Sequence, residues 1–226
     1  MPHLNIFRWQ AGRGWLVFSG GGAWDSDAVQ TIEAAVLGRT ISQGPLVYVW
    51  AAGDLETADL HMDSLRDLGA RTGYLLDIFS ESDQELLERL EEAGVIIIGD
   101  GPNQDALRDA LDGAVLEGLR LAFSRGATIY AIGLSAEQFG ALRLDTTSLT
   151  PGVAWLQQAI LIAGYTPDMA DELHELIRQT PAHFGIGLGQ GAALALGPRG
   201  EVEVWGNPAV TVSLGREFAS AYTEGA

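Results

Sequence analysis

Ser135 is the residue whose surroundings most invite chemistry. In the stretch ATIYAIGLSAEQFGALRL it follows an apolar run and Gly133, and it precedes a helical pattern beginning Ala136, Glu137, Gln138. A serine on a tight strand-to-helix turn projects its hydroxyl from the top of a sheet. The N–H of the next residue, here Ala136, then lies at a helix start where it can hold an oxyanion. The second glycine usual to such a turn, two residues past the serine, is Glu137 here. Its carboxylate suits the helix dipole and a capping role, and it can also hydrogen-bond Ser135 or act as an acid–base group. Read alone, a small polar residue just before a helix is an N-cap.

The rest of the chain narrows the chemistry. Cysteine and lysine are both absent from the 226 residues, which excludes thiolate nucleophiles, cysteine-bound metals, disulfides and lysine-based catalysis. Of the four histidines, His3 is terminal, His61 and His174 sit in helical patterns, and His183 precedes a strand-like run and can approach a sheet edge. All four read as surface or packing residues. Asp25 with Asp27, Asp54 with Glu56, and Glu91 with Glu92 read as solvated helix ends, so no metal and no cofactor is expected. Gly20, Gly21 and Gly22 read as a tight turn beneath a cleft, because Trp24 and Asp25 break the spacing of a phosphate loop. Trp9, Trp15, Trp155 and Trp205 read as core, while Trp24 and Trp50 fall at strand ends where they can line the cleft.

These residues need a frame, and hydrophobic periodicity supplies one. Apolar runs at Gly14 to Ser19, Pro45 to Trp50, Thr72 to Ile78, Val95 to Ile98 and Ala127 to Ile132 alternate with helical patterns at Asp25 to Leu37, Leu55 to Leu68, Ser82 to Ala93 and Gln104 to Arg125. That rhythm predicts βα units and a parallel sheet covered on both faces. After residue 145 the spacing predicts a strand over Pro151 to Ile162, a helix over Pro167 to Gln179, and three short strands in GIGLGQGAALAL, EVEVWG and AVTVSL. Those last strands predict an antiparallel extension of the sheet. No linker or repeat divides the chain, so residues 1–226 read as a single domain.

The block VIIIGDGPNQDALRDALDGAVLEGLRLAFSRGATIYAIGLSA resembles the cyanophycinase and aspartyl dipeptidase (peptidase E) family, serine peptidases on the class I glutamine-amidotransferase-like fold. In that family one turn reads Gly-Gly-Asp/Asn-Gln and the elbow reads Gly-Thr/Trp-Ser-Ala-Gly. Gly101, Asn103 and Gln104 match the first, and Gly133, Ser135 and Ala136 match the second. Shorter similarities around Gly20 to Gly22, Ala51 and Ala52, DSLRDLGA and the closing GIGLGQGAALAL extend the resemblance over about the whole chain.

The resemblance implies a flavodoxin-like α/β sandwich and a cleft formed by Gly21, Gly22, Gly101, Pro102, Asn103, Gln104, Ala163 and Gln190 around Ser135. Three departures bear on activity. The family's Asp-Gln-His-Phe histidine falls near Ala163, its Gly-Ile-Asp-Glu carboxylates fall at Gly189 and Gln190, and an oxyanion glycine is Pro102, which has no N–H. The implied function is a catalytically inactive or repurposed homologue that binds a small ligand, peptide or protein at the old active-site cleft. An active serine hydrolase on acidic or β-linked peptides, with Ser135 as nucleophile, is the alternative; a structural homodimer is the third reading.

Charge and targeting add limits. The chain carries 13 basic and 30 acidic residues, a formal net charge of −17, and every basic residue is arginine. That balance argues against nucleic acid or an anionic membrane as partner. No apolar run is long enough to span a bilayer and the N-terminus lacks a signal-peptide pattern, so a cytoplasmic location is expected.

Overall fold

The computed structural model describes residues 7–145, 148–182, 184–215 and 218. Strands β1 (Leu16–Ser19), β2 (Leu46–Val49), β3 (Gly73–Leu76), β4 (Val95–Ile98) and β5 (Thr128–Ile132) pair in parallel in the spatial order β1-β5-β4-β2-β3. Apart from Ser19 and Thr128 at strand ends, the central strands are built from apolar and aromatic residues because both faces are covered. Alternate residues serve two cores: Leu16, Phe18, Val47, Val49, Ile96 and Ile98 face one, and Val17, Leu46, Tyr48, Val95, Ile97 and Tyr130 face the other. Helices α1 (Asp27–Arg39) and α2 (Leu55–Asp67) close the second face through Ile32, Val36, Met62 and Leu65. On the first face lie α3 (Asp83–Glu91), α4 (Gln104–Ala110) and α5 (Gly113–Arg125). The result is a flavodoxin-like three-layer α/β fold with a mostly parallel central sheet.

Helix starts follow local chemistry. Ser26 caps α1, the Asp54 carboxylate caps α2 by accepting from Thr57 N–H at 2.8 Å, and Ser82 with Glu85 forms a capping box on α3. The single helix expected over Gln104 to Arg125 is two. Asp112 accepts from Gly113 N–H at 2.8 Å, and Gly113 takes φ of 53°, which ends α4 and restarts the chain as α5.

The C-terminal part departs further from the periodicity. After the short helix α6 (Leu134–Glu137) come β6 (Leu142–Asp145), β7 (Ser148–Pro151), β8 (Ala159–Ala163), α7 (Ala170–Arg178), β9 (Phe184–Leu188), β10 (Ala192–Leu196), β11 (Val202–Gly206) and β12 (Val210–Leu214). As expected, β10 and β11 extend the central sheet in antiparallel sense beyond β1. The others form a second sheet, ordered β12-β9-β8-β6-β7. The strand expected over Pro151 to Ile162 is interrupted, because Ala154 and Gln158 both take positive φ, 55° and 58°. GIGLGQGAALAL likewise holds two strands in different sheets, joined by a turn in which Gly191 takes φ of 68°. The helix expected from Pro167 opens with one 3₁₀ turn over Pro167–Met169, Pro167 standing at its start where a missing N–H is harmless.

The second sheet packs over the α3/α5 face and shares its core. Phe139, just past α6, stands with its ring 5.6 Å from Phe18 on β1 and 5.6 Å from Trp155, which in turn lies 5.5 Å from Phe123 on α5. All four side chains are fully buried or nearly so. This aromatic column ties both sheets to α5 and fixes α6. Phe139→Ala is expected to destabilise the protein by about 3–5 kcal/mol, measured by urea unfolding followed by circular dichroism.

Candidate functional site

The turn after β5 is where the fold brings the motif residues together. Gly133 leaves the strand with φ of 58° and ψ of −133°, and its N–H donates to Ser19 C=O at 2.9 Å. That backbone is open to glycine and strained for other residues. The sharp, strained position of a strand-to-helix nucleophile turn is therefore Gly133, two residues before the serine. Ser135 lies inside α6 with no surface exposed, and its hydroxyl donates to Gly99 C=O at 2.6 Å. The exposed residue at the tip is Leu134, with 42% of its surface accessible. Ser135 is thus neither at the apex nor a cap; it ties α6 to the end of β4.

The expected oxyanion donor is likewise engaged. Ala136 is buried and its N–H donates to Gly133 C=O at 3.0 Å. The N–H that follows the strained residue belongs to Leu134, and it donates to Asp100 Oδ1 at 3.0 Å. Gly101 N–H donates to the same oxygen at 2.8 Å. The other carboxylate oxygen covers the apex: a Cβ on Gly133 would stand 1.9 Å from Asp100 Oδ2. Asp100 therefore fills both the space of an apex side chain and the donor pocket beside it. Desolvation by its neighbours raises the Asp100 carboxyl above its ordinary value, opposed by the two N–H donors.

The Gly101 to Gln104 turn is built by backbone fit. A Cβ on Gly101 would meet Ala52 C=O at 2.1 Å, and Asn103 N–H donates to the same carbonyl at 2.9 Å. Asn103 Oδ1 accepts from Ala106 N–H at 3.2 Å and so caps α4, with Pro102 exposed beside it. Gln104 donates to Gly101 C=O at 2.7 Å and accepts from the Gln138 amide at 3.0 Å. A cleft of about 350 Å³ opens here, with Pro102, Asn103, Gln104, Glu137, Gln138 and Arg143 on its walls.

Glu137 is the titratable group of that cleft. Its Oε1 accepts from Ala163 N–H at 2.8 Å, at the end of β8 where the resemblance places a histidine. Burial pushes its carboxyl up to about 7, with the Asp100 charge adding and the Ala163 N–H and Arg143 opposing. Gly21 and Gly22, expected in the same cleft, are not on its wall: Gly22 borders a separate cavity, and Gly21 C=O accepts from Gly191 N–H at 2.8 Å. Gln190 is exposed in the β9–β10 turn, close behind Gly22.

Neither described histidine stands at Ser135. His174 lies near Ser213 at 3.3 Å on the outer helix, and His61 is buried between α1 and α2; His3 and His183 lie outside the described residues. His61 is more than packing. Its Nε2 meets Glu33 Oε1 at 2.5 Å and its Nδ1 meets the Tyr48 hydroxyl at 3.0 Å. The second oxygen of Glu33 is buried without a hydrogen-bond partner, an arrangement that ordinarily costs about 1–3 kcal/mol. Trp24 stacks on the His61 ring and lines a cavity on the other face of the sheet rather than the cleft expected for it, and Trp50 packs edge-on against Phe79. Among the described residues, no three metal-ligating side chains converge, and no helix is long and apolar enough to cross a membrane.

The fold has solved counterparts. A peptidase from an acI-B1 Actinobacterium superposes with a TM-score of 0.70 and 17% identity, over 91% of this chain and 97% of that one. A putative peptidase E protein from Listeria monocytogenes superposes with a TM-score of 0.58 and 12% identity, over 89% of this chain and 98% of that one. No protein-family model and no curated protein matches the sequence. At these identities the likeness carries the fold, which is one shared with peptidase E-like proteins.

Two outcomes are expected from this geometry. Gly133→Ala should destabilise the protein by more than about 3 kcal/mol in chemical denaturation, through backbone strain and the collision with Asp100. Adding Asp100→Gly should return part of that loss, a coupling above about 0.5 kcal/mol in a double-mutant cycle. For Glu137, the unfolded carboxyl titrates near its ordinary 4.5 and the folded one near 7. The native state therefore holds more protons between those values, and stability falls as pH rises through that window. Glu137→Gln should flatten the fall and stabilise the protein at pH about 8 by about 1–3 kcal/mol, read from denaturation midpoints on either side.

Proposed function

We propose that this peptidase E-fold chain does not carry out serine acyl transfer and instead binds a small polar ligand or peptide segment at the cleft between α4 and α6. The observation that carries this reading is the Asp100 carboxylate seated over Gly133, with Leu134 N–H and Gly101 N–H already bonded to it. Acyl transfer needs a nucleophile beside a base and free donors facing the oxyanion. Here the apex carries no side chain, the donors hold an internal carboxylate, and the serine hydroxyl is committed to Gly99 C=O. For Ser135 to serve as nucleophile, its hydroxyl would have to leave that carbonyl and pass out of a fully buried position.

The cleft retains the means to bind. Glu137, Gln138, Gln104 and Arg143 give it a carboxyl, two amides and a guanidinium, enough to orient a ligand carrying both donors and acceptors. The chain's acidic balance favours ligands without net negative charge.

Incubation of the folded protein with a fluorophosphonate probe, followed by intact-mass spectrometry, tests the reading. No adduct should form, and aspartyl and β-aspartyl dipeptides should remain uncleaved. A stoichiometric adduct mapped to Ser135 and abolished in Ser135→Ala would overturn it.

A further inference from the structure

A second cavity lies on the opposite face of the central sheet, between α1 and α2 and over the ends of β2, β4 and β5. Its volume is about 270 Å³, and Trp24, Glu33, Tyr48, His61, Asp100 and Ile132 form much of its wall. At about 30 Å³ per water it has room for about nine. Exposed Gly22 and Thr57 lie on its margin.

The polar groups of this cavity centre on two carboxylates, one of them bonded to His61. His61 has both ring nitrogens engaged, one by Glu33 and one by the Tyr48 hydroxyl. That chain fixes the Glu33 carboxylate through Oε1 and leaves Oε2 buried and unpartnered. Asp100 contributes a second carboxylate, whose Oδ1 holds two backbone N–H groups. Among the described residues no arginine lines the cavity, and the chain has no lysine. The Trp24 ring lies 5.6 Å from His61 and only 18° from parallel, giving an aromatic wall that remains partly open.

We propose that this cavity binds a small organic cation bearing N–H donors, an alkylamine or alkylguanidine, between the Glu33 and Asp100 carboxylates and against Trp24. The unsatisfied Glu33 oxygen calls for a donor, and two carboxylates favour a charged one. An aromatic face adds attraction for a cation. A metal ion fits poorly because His61 has no ring nitrogen to give. An anion meets two carboxylates and, among the described residues, no arginine. The site shares Asp100 with the turn at Gly133 but none of the side chains on the wall of the α4–α6 cleft.

Isothermal titration of the full chain with agmatine and with butylamine, against butanol and butyrate as neutral and anionic counterparts, tests the proposal. At least one amine should bind saturably, with neither counterpart doing so. Glu33→Gln and Asp100→Asn should each weaken binding about tenfold or more, because each removes a charge-assisted hydrogen bond. Trp24→Ala should weaken it too, while Glu88→Gln on the exposed face of α3 should leave it unchanged. Circular dichroism checks each variant; if Glu33→Gln loses its fold, Asp100→Asn and Trp24→Ala decide the matter. No saturable binding up to about 10 mM amine, equal binding of butyrate, or amine affinity unchanged in the folded variants would overturn it.

Discussion

At Gly133 the chain leaves a buried strand and enters a helix within a single residue, and the backbone required there admits no ordinary side chain without strain. The space this leaves is occupied from the end of the neighbouring strand by Asp100, whose carboxylate ties the end of β4 to the start of α6. Each residue depends on the other. Without the glycine the carboxylate would have nowhere to sit, and without the carboxylate the Leu134 and Gly101 N–H groups would lose their shared acceptor. The Ser135 hydroxyl adds a second tie from α6 to the same β4 end, at Gly99. Phe139, held between Phe18 and Trp155, anchors the far side of α6. The short helix is pinned at both ends.

Charge follows the same plan. Most ion pairs lie on the surface, where arginines meet carboxylates with substantial exposure on both sides and contribute little individually. The acidic groups that matter lie at the strand ends. Glu137 is drawn inward by Ala163 N–H and loses water in doing so, which raises its carboxyl despite the arginine nearby. On the other face Glu33 and Asp100 add to the burial that lifts the Tyr48 phenol above its ordinary range. Asp100 stands where the two faces meet.

The βα rhythm was legible because buried parallel strands must be apolar and their helices amphipathic; the five central strands fall within a residue or two of their expected ends. The split at Asp112 and Gly113 was concealed by apolar spacing that continues across it. The second sheet was harder to read, since two residues other than glycine carry the positive φ that interrupts its expected strand. Around the site, the spacing of Gly133, Ser135 and Ala136 fitted a nucleophile turn by residue type, but spacing cannot say which residue bears the strain. Asp100 left one signal, an acidic residue between a buried strand and the Gly101 turn. The Glu33, Tyr48 and His61 cluster left none, because its members are brought together by the packing of α1 and α2 across β2.

The carboxylate over Gly133 also restricts which sequences are neighbours of this one. A side chain introduced at position 133 collides with Asp100 before it can meet anything else. Loss of Asp100 must therefore precede any gain at the apex, and that first change alone strips two backbone donors of their acceptor. A side chain at position 133 is at least two substitutions away, with a less favourable intermediate between. The fold is one shared with peptidase E-like proteins, and in this chain its apex turn is held by a single well-placed aspartate.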